Sequence, residues 1–90
     1  MQRKVELIIV GNVQGVGFRF TVERIARKFQ VMGFVKNLPN GKVELVAEGE
    51  ETGVGKFLAD IEAAFDSCIL DVEKKWSDPD EEFEGFGIRF

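Results

Sequence analysis

The chain has 90 residues, 44% hydrophobic and 31% charged, which suits one globular domain with a modest core. Sixteen acids against twelve Lys and Arg leave a net charge of −4, so a broad basic face for nucleic acid is excluded and an anionic ligand must be drawn in by a local pocket. With no histidine, no tyrosine and one cysteine, Cys68, the chain lacks the usual general base near neutral pH, the commonest metal ligand and any internal disulfide.

In chain order, Lys4–Val10 alternates and then turns wholly apolar, as a strand does when one face and then both are covered. Val22, Ile25, Ala26, Phe29 and Met32 follow helical spacing, with Glu23, Arg24, Arg27 and Lys28 opposite, and Gly33 is expected to cap that helix. Phe34–Leu38 and Lys42–Glu48 are expected strands joined by Pro39-Asn40-Gly41, a hairpin signal. Val54, Phe57, Leu58, Ile61 and Phe65 form one stripe of a second helix, although Gly53 and Gly55 each weaken it by roughly 1 kcal/mol relative to alanine. Ile69–Trp76 reads as a strand, Ser77–Glu82 as an acidic loop, and Phe83–Phe90 as a short terminal strand. The order implies an α+β, ferredoxin-like βαββαβ sandwich over residues 1–90, one domain with both helices on one face of an antiparallel sheet and an extra C-terminal strand. Trp76 and the nine phenylalanines are expected in the core, Cys68 as a small packing residue, and Asp78–Glu82 as solvated surface. No apolar run approaches the ~18 residues of a membrane span, and Met1–Val5 does not lead into a secretory signal, so a cytoplasmic protein is expected.

The chemistry concentrates in Ile9-Val10-Gly11-Asn12-Val13-Gln14-Gly15-Val16-Gly17-Phe18-Arg19-Phe20. A glycine-rich turn from a strand into a helix N-terminus aims backbone N–H groups at one spot, where the helix dipole adds positive potential. Arg19 adds a planar fork that can grip two phosphate oxygens. The spacing of Gly11, Gly15 and Gly17 matches neither the Walker A loop nor the dinucleotide fingerprint. A flexible connector bearing a surface arginine fits the same residues.

The stretch "GNVQGVGFRF" resembles the acylphosphatase signature Gly-x-Val-Gln-Gly-Val-x-Phe-Arg, and Gly33–Gly49, "GFVKNLPNGKVELVAEG", resembles that family's second signature, Gly-Phe/Trp-Val-x-Asn-x-x-x-Gly-x-Val. The similarity of layout covers essentially the whole chain and implies the same βαββαβ sandwich. It makes Arg19 the phosphate-binding catalytic arginine and Asn37 the catalytic asparagine. The loop of Gln14, Gly15, Val16, Gly17, Phe18 and Arg19 becomes the phosphate cradle. Asn12 stands where a basic residue is frequent, Lys36 where arginine often does, and Asn40 for a common aspartate. Gly53 and Gly55 are unusual for the family's second helix.

What the resemblance implies is cleavage of the carboxyl–phosphate bond of acyl phosphates, giving a carboxylate and inorganic phosphate. A carboxylate leaves without a strong acid, so positioning and charge neutralisation by backbone N–H groups and Arg19 are expected to suffice without metal or other cofactor. Asn37 would orient the attacking water; an asparagine near a turn can also serve only its own backbone. The expected partners are a small acyl phosphate, with phosphate or sulfate competing, and neither nucleic acid nor membrane. A monomer is expected. RNA-recognition modules share the strand order but stack bases on aromatics of the third strand, and Lys42–Glu48 has none. A carbamoyl-phosphate-handling module and a phosphate-binding protein without turnover are the other readings.

Overall fold

A computed structural model describes residues 1–15, 17–80 and 83–89. In β1 (Gln2–Gly11), Val5, Leu7 and Ile9 point to one side and are buried, while Lys4, Glu6 and Ile8 alternate to the other. In α1 (Phe18–Lys28), Phe18, Val22 and Ala26 form the buried stripe. In α2 (Glu51–Phe65), the stripe is Val54, Phe57, Leu58, Ile61 and Phe65, as the spacing predicts. The remaining strands are β2 (Met32–Asn37), β3 (Val43–Glu50), β4 (Ile69–Ser77) and β5 (Phe86–Arg89).

The five strands form one sheet in the order β4-β1-β3-β2-β5. The pairs β1–β3, β1–β4 and β2–β3 are antiparallel, with Leu7 and Val35 each opposite Leu45. β5 runs parallel to β2, placing Ile88 opposite Val35, so the sheet is mixed rather than wholly antiparallel. Both helices lie on the Val5–Leu7–Ile9 face, where Val22, Phe57 and Ile61 share one core with Val35 and Leu45. Each fully buried side chain of this kind contributes roughly 1.5–3 kcal/mol relative to exposure. The result is the ferredoxin-like sandwich with an added fifth strand.

Three expectations need correction. The first helix does not reach Met32 or end at Gly33. It stops at Lys28, Gln30 takes the left-handed conformation (φ 55°), and Val31 N–H donates to Ala26 O at 2.9 Å with Gln30 N–H to Arg27 O at 3.4 Å. That is a Schellman closure built on Gln30. Gly33 belongs to β2, where a Cβ would stand 1.9 Å from the carbonyl oxygen of Val46 on β3. It is the sheet that requires glycine there.

The terminal strand begins at Phe86, not Phe83, and Phe90 lies outside the described residues. Because β4 and β5 occupy opposite edges, their connection has to cross the sheet, and it does so on the face without helices. Asp80 accepts a hydrogen bond from Lys4 Nζ on β1 at 2.6 Å, the Phe83 ring lies 6.3 Å from that of Phe34 on β2, and Gly33 N–H donates to Gly85 O at 3.0 Å. Under this strap Lys4 is 3% exposed and sits opposite Glu48, 4% exposed. The Lys4 ammonium holds the Asp80 carboxyl below its ordinary pKa. Asp80 is thus exposed acidic surface, as expected, that also tethers the strap to β1; Glu81 and Glu82 lie outside the described residues.

The third correction concerns aromatics. Trp76 is 37% exposed and Phe20 64% exposed. Trp76 sits on edge strand β4, whereas the helices pack chiefly on β1, β2, β3 and β5. Phe20 lies two residues beyond buried Phe18, on the other side of α1. Cys68, half-buried, packs against the core as expected.

Candidate active site

After Gly11 the chain leaves the sheet, with Asn12 N–H donating to Cys68 O at 2.8 Å and fully buried Val13 pinning the turn to the core. Gly15 and Gly17 then adopt φ of 80° and 72°. Open space surrounds both missing Cβ atoms, so it is the left-handed backbone and not crowding that calls for glycine. Val16, the loop residue between them, lies outside the described residues.

Gly17 is the N-cap of α1 and brings no side chain to close it. The first helical hydrogen bond runs from Thr21 N–H to Gly17 O at 3.1 Å. The N–H groups of Phe18, Arg19 and Phe20 therefore stand ahead of the helical ladder, at the positive end of the dipole. The first turn contains no acid. Sequence and backbone together leave this end favourable to an anion.

A cleft of about 220 Å³ opens at this point, lined by Val13, Gly15, Gly17, Phe18, Arg19, Phe20 and Asn37. Arg19 enters from α1 and Asn37 from the end of β2; both are half-buried. The Oδ1 atom of Asn37 is buried and has no hydrogen-bond partner among the described residues. Leaving a buried polar atom unpaired costs about 1–3 kcal/mol. The hairpin does not use it: the local turn bond runs from Lys42 N–H to Asn40 Oδ1 at 3.1 Å, with Gly41 N–H to Leu38 O at 3.2 Å. An unsatisfied acceptor thus belongs to a residue that lines the same cleft as Arg19.

Gln14 is not part of the cleft wall. Its Nε2 donates to Leu38 O at 3.0 Å and to Lys42 O at 2.9 Å, joining the loop to the hairpin that follows Asn37. The sequence reading assigned nothing to Val13 or to Phe20 as cleft-lining groups. The period of the buried stripe in α1 carried the signal for Phe20, because it turns that side chain away from the core.

A second groove, about 260 Å³, crosses the open sheet face among Glu6, Glu44, Glu73, Lys74 and Lys75. Three carboxylates against two ammonium groups make it a poor seat for an anion. Among the described residues no three acidic or thiol groups converge as metal ligands. Among the described residues no helix is long and apolar enough to cross a membrane.

The family model described as Acylphosphatase matches residues 5–88. An acylphosphatase from Archaeoglobus fulgidus is 40% identical over 86 residues, 94% of this chain and 96% of its own length. The crystal structure of acylphosphatase from Bacillus subtilis superimposes with a TM-score of 0.88 at 31% identity, covering 98% of this chain and 99% of that one. A full-length HypF in its phosphate- and nucleotide-bound form gives the same TM-score at 28% identity, covering 100% of this chain but 12% of that protein.

Proposed function

The chain belongs to the acylphosphatase family and is an acylphosphatase enzyme; on that premise we propose that the cleft at the α1 N-terminus hydrolyses the carboxyl–phosphate bond of acyl phosphates, using Arg19 to hold the phosphoryl group and Asn37 to hold the water. The observation that carries this reading is the buried Oδ1 of Asn37, without a hydrogen-bond partner among the described residues, in the same cleft as Arg19 and the left-handed Gly15 and Gly17.

The division of labour follows from charge. The phosphoryl oxygens sit against the backbone N–H groups at the helix end and the Arg19 guanidinium, which neutralise charge on the equatorial oxygens as the bond loosens. Water donates one hydrogen to Asn37 Oδ1, which fixes its oxygen on the phosphorus. An amide cannot take a proton near neutral pH, so Asn37 orients and does not act as a base. The new bond joins water oxygen to phosphorus, the bond from phosphorus to the carboxylate oxygen breaks with its electron pair on the carboxylate, and the water proton passes to a phosphoryl oxygen. Carboxylate and dihydrogen phosphate leave. Such a site suits a labile anhydride and lacks the acid that a stable phosphomonoester requires.

The test is release of phosphate from benzoyl phosphate, acetyl phosphate and carbamoyl phosphate, with and without EDTA, and with p-nitrophenyl phosphate as the stable-ester control. Turnover of the acyl phosphates that is indifferent to EDTA is expected, with inorganic phosphate and sulfate as competitive inhibitors. No turnover, turnover lost on chelation, or purely noncompetitive phosphate inhibition would overturn the reading.

A further inference from the structure

We infer that Gln14 is a positioning residue for this reaction: its side-chain amide clamps the β2–β3 hairpin to the phosphate loop and so sets Asn37, and the water it holds, against the phosphoryl group. The inference rests on the proposed roles of Arg19 and Asn37. It differs from a role for Gln14 in gripping phosphate.

The geometry is specific. A primary amide has two N–H donors, and both Nε2 hydrogens of Gln14 have acceptors, the carbonyls of Leu38 (3.0 Å) and Lys42 (2.9 Å). None is left for an anion. Leu38 is the residue after Asn37, and Lys42 precedes Val43, the register partner of Asn37. The Lys42 carbonyl also receives Leu38 N–H at 2.8 Å, so the amide grips the neck of the hairpin where its two arms are already joined. At the other end, Gln14 lies between buried Val13 and Gly15, in the loop that becomes the N-terminus of α1 and carries Arg19. Arg19 and Asn37 come from separate elements, and the two Gln14 bonds tie the loop that leads to the first to the hairpin that follows the second. A loose hairpin would displace the water while leaving the cradle intact, and a misplacement on the order of 1 Å can cost ~100-fold in rate.

Two variants make the test. Gln14→Ala removes the clamp. Gln14→Glu replaces the donor with an acceptor that faces two carbonyl oxygens and pushes the hairpin away. Both are assayed for kcat on benzoyl phosphate, for inorganic phosphate affinity by calorimetry, and for amide hydrogen exchange at Asn37–Lys42. Gln14→Ala is expected to lose roughly ten- to a hundred-fold in kcat, Gln14→Glu more, with phosphate affinity within about threefold and faster hairpin exchange in both. A merely structural loss would lower Tm and the fraction of binding-competent protein without this split. Retained kcat, or phosphate binding lost in step with kcat, overturns the clamp. Absence of acyl phosphate turnover in the unaltered chain instead overturns the assignment of the reaction, and the hydrogen-exchange comparison still decides whether Gln14 holds the hairpin.

Discussion

The two helices start in opposite ways. At α2, Glu50 is the N-cap and Glu51 stands in the first turn; Glu51 N–H donates to Met1 O at 3.0 Å, and Glu50 Oε2 meets the Met1 α-amino group at 2.6 Å. The chain supplies its own negative charge and its own acceptor to the positive end of that helix. At α1 the N-cap is a left-handed glycine, the first turn has no acid and a single arginine, and a cleft opens in front of it. An end that serves only the fold is closed from within. An end whose first turn holds no acid is the one on which the proposed phosphate site rests.

The largest test of this contrast strips the α1 end of its chemistry. Arg19→Gln is expected to lower kcat/KM by roughly thirty- to a thousand-fold, the ~2–4 kcal/mol typical of a lost charge-assisted contact, and to weaken phosphate binding in parallel. Asn37→Ala is expected to collapse kcat while phosphate affinity stays within a few fold. Calorimetry on both variants separates the two roles, and equal loss of phosphate binding would abolish the distinction. Both should keep a cooperative urea transition, since neither side chain belongs to the core cluster.

A second experiment transplants the closed end onto the open one. Phe20 is exposed at the cleft, so Phe20→Glu puts an acid in the first turn of α1 without opening the core. Phosphate affinity is expected to fall by at least roughly fivefold, because a like charge about 4 Å away costs on the order of 1 kcal/mol even in bulk water. Stability should hold or rise slightly, as an acid at a helix N-terminus contributes about 0.3–1 kcal/mol. Unchanged phosphate affinity would mean that the anion binds elsewhere.

The converse change is smaller. Glu51→Gln is expected to cost about 0.3–1 kcal/mol of stability at low ionic strength, seen as a lower urea midpoint that salt masks, with kcat and KM unaltered. A change in activity would show that the two ends are not independent.

The smallest effect is in acid. The Met1 α-amino group, followed by the Gln2 amide, holds the Glu50 carboxyl below its ordinary value. A carboxyl with a depressed folded-state pKa leaves the unfolded chain binding more protons as pH drops. Its stabilisation is therefore present above the unfolded carboxylate range, roughly pH 4.3, and is lost as pH falls through the lower folded value. The Glu50 side chain is 61% exposed, so the decline should be slight, and Glu50→Gln should flatten it in urea midpoints taken from pH 6 to pH 2. A variant with an unchanged pH profile would remove Glu50 from the account.

Much of this protein was legible one residue at a time. The stripe of Val54, Phe57, Leu58, Ile61 and Phe65 could be buried only on a helix, because no other backbone brings that spacing to one side. Alternation at the start of β1 marked which side of that strand met the core. The glycines and Arg19 could be singled out because conformational freedom and permanent charge are properties of the residue itself, whereas Asn37 was singled out only through the resemblance to the family's second signature. Other features depended on what lies across space. Gly33 resembled a helix cap until the Val46 carbonyl on a neighbouring strand explained why no Cβ fits. Asp80 is exposed as its sequence suggests, but its tether to Lys4 was hidden because that partner is 76 residues away. The bonds from Gln14 span 24 and 28 positions, and the meeting of Arg19 with Asn37 likewise exists only once the sheet has formed. Sequence determines what each residue can do locally, since periodicity and chemistry act over a few positions. Which groups face one another is decided by sheet order and chain crossing, since a hydrogen bond or an ion pair depends on distance in space and not along the chain.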